Sequence, residues 1–238
     1  MWQALHDELS PLGVTVVTVA MDGEVSMAEP WVKAASPTHP SLIDRTHSLG
    51  GALGFVNVPM AAWIDEHGVL VRPPESSRIV PSLMAGRDVP PGLAPRIAAR
   101  FELLRHAQAN AHEPYLAALR DWAHHGPDSP FALSPDEVVR RSQPRDADGA
   151  RAAACFELGE HLRRTVSVDA ATPWWREAHR LQPSNWTYKR QAWTLETTTP
   201  GEPSDLIQEP TERYEGNWLD DLVAQGGLQN YTPGFSGA

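Results

Sequence analysis

The chain predicts an α/β plus α protein, and three observations carry that prediction. A nearly uniform β-branched run, Val14 to Ala20, sits directly after a short amphipathic segment, which is the rhythm of α/β architecture. Between Ser41 and Val71 a strand, a helix and a hairpin follow in order. Beyond Pro95 the apolar residues recur at helical spacing.

Trp2, Leu5 and Leu9 form the apolar stripe of a first helix, which Pro11 and Gly13 end. The run VTVVTVA then predicts a strand over Val14 to Ala20, buried on both faces of a mainly parallel sheet. Pro30, Pro37 and Pro40 leave room for one helix around Trp31 to Ala35, because proline limits helix interiors. Ser41 to Ile43 reads as a short strand and Thr46 to Leu53 as a helix closed by Gly54. Met60 to Ile64 and Val69 to Val71 flank Asp65-Glu66-His67-Gly68, a hairpin whose glycine supplies positive φ. Asp65 and Glu66 are turn acids in water, not an acid/base pair.

Pro73 to Pro95 is rich in Pro, Ser and Gly and reads as a linker between domains. After it, Ile97, Phe101, Leu104 and Ala111 mark one helical stripe. Pro114 opens a second helix with Tyr115, Leu119 and Trp122 inward and Gly126 as its stop. Ser134, followed by Pro135, Asp136 and Glu137, is an N-cap, and Gln143 to Gly149 is a polar break. The expected division is therefore residues 1–72, a linker at 73–95, a helical domain at 96–196 and a C-terminal extension at 197–238. Within that extension Pro200 to Pro210 is a loose linker, Glu215 to Ala224 a last helix, and Gly226 to Ala238 a docked or frayed tail.

Composition excludes several functions. A net charge of −10 argues against binding nucleic acid, which needs a concentrated basic surface. A single cysteine, Cys155, excludes an internal disulfide framework, and no Cys/His cluster has zinc spacing. His124-His125, His106 and His112 invite a metal reading, but His106 and His112 do not share a helical face and no carboxylate sits at ligand spacing with them, so no metal is expected. The apolar run from Val14 to Met21 is too short to span a bilayer, and no signal-type segment opens the chain. A cytoplasmic protein without membrane association or cofactor is expected. No nucleophile elbow, Walker loop or dinucleotide fingerprint occurs.

Four features in order carry a family resemblance: the opening helix with GVTVVTVAMD, then LIDRTHSLGGALGF, then NVPM, then WIDEHGVLV. Over Trp2 to Val71 the chain resembles the redoxin branch of the thioredoxin superfamily, nearest the TlpA/ResA-like thiol–disulfide oxidoreductases. The resemblance implies that Pro59 is cis and that Val58, Pro59 and Met60 form the loop against which the family holds peptide. It also implies a catalytic dithiol at the start of the helix that begins near Trp2. This sequence has no Cys-x-x-Cys, and the strand expected before that helix is absent. Either an in-frame extension precedes Met1 and carries that strand and turn, or the chain is a redox-dead relative. A partial thioredoxin-like fold over residues 1–72 is the expectation.

The second half carries another resemblance. Leu158, Gly159, Leu162, Ala171, Trp175, Ala178 and Pro183 match the tetratricopeptide pattern, giving one expected helix hairpin over residues 152–185. Gly159 and Ala178 are the small residues that let its helices approach, Trp175 fills the groove, and Pro183 stops the second helix. Cys155 falls on the packing face and reads as a small core hydrophobe. Of nine tryptophans, six lie from Trp122 onward, and they read as closing a core. An exposed Asn185–Arg190 segment would instead suit a protein-binding surface.

Three functions follow. The first is a redoxin-family protein lacking the active-site cysteines in this chain. The second is a redox-inactive scaffold that binds a protein or peptide partner through its tetratricopeptide-like half. The third is a relative of peroxiredoxin-type peroxidases, which also lacks its cysteine here.

Overall fold

The computed structural model describes residues 2–80, 87–105, 112–142, 145–197, 216–227, 230–231 and 234–238. Ala111, His106 and the Pro200 to Pro210 linker lie outside them. The described residues are mainly helical with two small sheets, in keeping with an α/β plus α class.

Helix α1 (Trp2–Leu9) buries Leu5 and Leu9, and a 3-10 turn ends at Gly13 with φ +88°. Strand β1 covers only Thr18–Ala20, far less than the expected Val14 to Ala20, and Val17 is half exposed. The reason is its partner. Parallel β2 (Ser41–Ile43) is three residues long, bounded by Pro40 and by the turn at Asp44, so the ladder ends where β2 does. Helix α2 (Val25–Ala35) begins earlier than expected and runs through Pro30. The hydrogen bond that proline removes would have gone to Ser26, in an exposed first turn where water can take its place.

Helix α3 (Ser48–Leu53) starts two residues later than expected, because the Asp44 carboxylate accepts from the Ser48 and Gly50 N–H groups (3.0 and 2.9 Å). β3 (Met60–Ile64) and β4 (Leu70–Ser76) form the antiparallel hairpin, with Gly68 at φ +78°. The Asp65 carboxylate accepts from the His67 and Val69 N–H groups, so it builds the turn. β4 outruns its expected end by five residues, through Pro73 and Pro74. Those prolines fall in the register shift between the Trp63–Arg72 and Ala61–Glu75 pairs, a bulge being a place where missing N–H groups are tolerated. The expected linker therefore begins inside a strand, and Ile79 beyond it is buried.

Helices α4 (Pro95–Arg105), α5 (Glu113–His125), α6 (Pro135–Ser142), α7 (Ala147–Thr165), α8 (Val168–Leu181), α9 (Trp186–Thr197) and α10 (Trp218–Ala224) complete the order. The expected polar break ends early because Asp146 caps α7, accepting from Gly149 N–H at 2.7 Å. Ser167 caps α8 on Ala170, and Asn217 caps α10 on Asp220.

Two cores result, and they do not divide at the expected linker. One joins Leu5, Leu9, Trp63 and Ile79 to Tyr115, Ala118 and Leu119 of α5. Trp63 stacks on Trp122 with ring centres 5.1 Å apart and donates to Tyr115 Oη at 3.2 Å. The other gathers Phe156, Trp175, Trp186, Trp193 and Trp218 from α7 to α10. So α5 belongs to the α/β unit's core, although the sequence places it in the helical domain.

Candidate functional site

The loop between α3 and β3 is where the elements converge. The Val58–Pro59 peptide is cis, the geometry the resemblance implies. Asn57 fixes it. Its buried side chain accepts from Val58 N–H at 2.9 Å through Oδ1, and its Nδ2 donates to the Tyr231 carbonyl at 3.0 Å. One residue upstream, the Val56 carbonyl accepts from Trp186 N–H (2.7 Å) at the start of α9. Downstream, the Pro59 carbonyl accepts from Ser77 N–H at 3.2 Å, and Met60 opens β3 opposite Ser76. Both ends of the loop are thus pinned, while Val58 is 51% exposed and Pro59 is exposed.

No thiol is close to this loop in sequence. Cys155 is buried on α7 in the helical core, and burial pushes its thiol upward, the opposite of what an attacking thiolate needs. Among the described residues no group of three or more His, Cys, Asp or Glu side chains is placed to hold a metal.

Most of the residues that carry the tetratricopeptide resemblance lie in or against the helical core. Ala171, Trp175 and Ala178 of α8 are fully buried, and Leu162 packs against their cluster. A Cβ on Gly159 would come within 2.6 Å of Trp175 Cδ1, so the bare glycine is what admits the indole. Pro183 lies just past the end of α8. Leu158 is the exception, at 36% exposed; the inward positions of α7 are Ala152, Cys155, Phe156, Gly159 and Glu160. Leu158 sits a residue off that stripe, so helical rotation carries it outward. Asn185, Trp186, Thr187, Tyr188 and Lys189 are all buried. That segment closes the core and offers little binding surface.

Sequence reasoning singled out neither Asn57 nor three buried ionisable groups: His47, Arg72 and Glu160. Glu160 had a signal, since it follows Phe156 by four residues and so shares its inward face. Arg72 had none, because an arginine in a hairpin strand reads as exposed. Among the described residues no helix is long and apolar enough to cross a membrane. No protein-family model, curated protein or solved structure matches the chain.

Proposed function

We propose that this chain is a redoxin-branch relative of TlpA/ResA-like thiol–disulfide oxidoreductases that, as it stands, engages extended peptide at the Val58–Pro59 loop without turning over disulfides. The observation that supports this reading is the loop itself. Val58 is presented outward, between a fixed Asn57 and a hairpin strand, at the end of the helix–strand–helix–strand–helix order that the resemblance requires. The two sheets are not hydrogen-bonded to each other among the described residues, so β1 and β3 each keep an edge without a strand partner. Such edges are where an extended segment pairs.

Partner binding through the helical half has less support, because the aromatic segment that suited it lies in the core. With one buried cysteine and no resolving partner, a mixed disulfide could not be released. In an insulin-reduction assay the purified chain is expected to give no turnover above the reductant alone. Turnover that survives Cys155→Ala would overturn the chemistry described here.

A further inference from the structure

Glu160 of α7 is fully buried, and neither of its carboxylate oxygens has a hydrogen bond of ordinary geometry among the described residues, Arg163 and the Trp175 indole being only weak partners. It sits where the helical unit meets the turn after β1. A Cβ on Gly23 would lie 3.0 Å from Glu160 Oε2 and 3.1 Å from Leu195 Cδ2 of α9. The nearest cations are on its own helix and stand off: Arg163 Nε at 3.5 Å and Arg164 Nη1 at 3.7 Å. Arg163 is already committed, its Nη2 lying 2.5 Å from Glu24 Oε1. Arg45 takes the other Glu24 oxygen at 2.9 Å and donates to the Gly23 carbonyl at 3.1 Å. From α9, the Gln191 amide reaches Met21 O and Gly23 N (2.9 and 3.0 Å) when its nitrogen faces Met21. From α8 the Trp175 indole faces the site.

We propose that Glu160 is a proton-operated latch: protonated, it lets α7 close on the Met21–Glu24 turn, and ionised, it loosens that junction. Solvation is the cause. A carboxylic acid tolerates a dry site far better than a carboxylate does. Once ionised, Glu160 is stabilised either by drawing Arg163 away from Glu24 or by admitting water. Both undo the contact between turn and helix.

Burial, opposed by Arg163 and Arg164, holds the Glu160 carboxyl up at about 7 against an ordinary 4.5. Below 4.5 both the closed and open forms are protonated and Glu160 imposes no penalty on the junction. Between 4.5 and 7 the open form releases its proton while the closed form keeps it, so closure weakens as pH rises. Above 7 the penalty is constant. Three neighbours titrate as well. Burial raises Asp22, which adds in the same direction. Burial pushes His47 down to about 4 from 6.5, which acts oppositely, strengthening the fold as pH rises between those values. The hydrogen bond from Arg163 lowers Glu24, whose contribution is lost as pH falls below 4.5. The wild-type profile alone therefore mixes opposing slopes.

The test is the difference between wild type and Glu160→Gln, which isolates this one group. Denaturant unfolding of both from pH 4 to 9 is expected to show the variant gaining on wild type above pH 4.5, by up to about tenfold in folding equilibrium constant per pH unit, and levelling off above 7. Amide exchange at residues 21–24, corrected for intrinsic rates, should accelerate with pH in wild type and not in the variant. Parallel stability curves would overturn the proposal. Should Glu160→Gln fail to fold, the side-chain carboxyl carbon of Glu160 in wild type gives the answer by NMR. A titration midpoint near 7 supports the latch, and one near 4.5 overturns it.

Discussion

Gly159 shows how a single missing methyl group sets the distance between two helices. In an exposed helix, replacing glycine by alanine stabilises by about 1 kcal/mol. Here the sign reverses, because the added Cβ would come within 2.6 Å of Trp175 Cδ1 and 2.7 Å of Nε1, and Trp175 is fully buried in the helical core. Overpacking of this kind costs about 1–3 kcal/mol. Gly159→Leu is therefore expected to lower the thermal midpoint clearly and Gly159→Ala more modestly. Cys155→Ser should be milder, since it nearly conserves the volume of a small buried side chain. Melting curves decide it. Wild-type stability in Gly159→Leu would mean the α7–α8 contact is not as tight as described.

At the scale of elements, β4 is tied to the chain's last residues by a buried ion pair. Arg72 donates to Glu75 through Nε and Nη2 (3.0 and 3.2 Å), to the Phe131 carbonyl at 3.1 Å and to the Gly237 carbonyl at 2.8 Å. Its guanidinium lies 4.6 Å from the Phe235 ring centre, and Ser236 Oγ donates to Glu75 Oε1 at 2.5 Å. Of the tail expected to be docked or frayed, residues 234–238 are thus docked. Removing one partner of a buried pair leaves the other charge uncompensated, at about 3–5 kcal/mol. Arg72→Met is expected to lose about that much and to release Phe235, seen as faster exchange and proteolysis at the C-terminus. Arg72→Met with Glu75→Leu should recover most of the loss; a double variant no better than the single would show that the contacts, not the charge, dominate.

These elements also show what was legible in the sequence. The hairpin turn, the Gly54 stop, the Ser134 cap and the α7–α8 pair were readable, because each depends on residues a few positions apart. β1's length was not, since it is limited by Pro40 and Asp44, which bound its partner strand. Neither was β4's passage through Pro73 and Pro74, which depends on a bulge opposite β3. For the candidate site, the NVPM tetrapeptide located the loop. The role of Asn57 depends on Tyr231, 174 residues away, and no local pattern reports that bond.

Across the whole molecule, the α/β unit and the helical unit share surfaces more than a linker-joined pair would. Tyr188 stacks on Phe156, which lies 4.7 Å from the His47 ring, and the Tyr231 hydroxyl accepts from Trp218 Nε1 and Arg190 Nη1 while its carbonyl holds Asn57. The helical unit thereby positions the Val58–Pro59 loop from behind and leaves its front open. Exposed apolar side chains on the helical unit, Trp174 and Val166, are the competing surface. Alkylated insulin B chain, an unfolded peptide unable to exchange disulfides, distinguishes the two. Val58 and Trp174 are exposed enough that substituting either should leave the thermal midpoint nearly unchanged. Titrating this peptide into wild type, Val58→Asp and Trp174→Ala is the most direct measurement. Saturable binding is expected, weakened at least about tenfold in Val58→Asp, a loss of about 1.4 kcal/mol, and unchanged in Trp174→Ala. Loss of binding in Trp174→Ala with wild-type affinity in Val58→Asp, or no binding to any of the three, would contradict it.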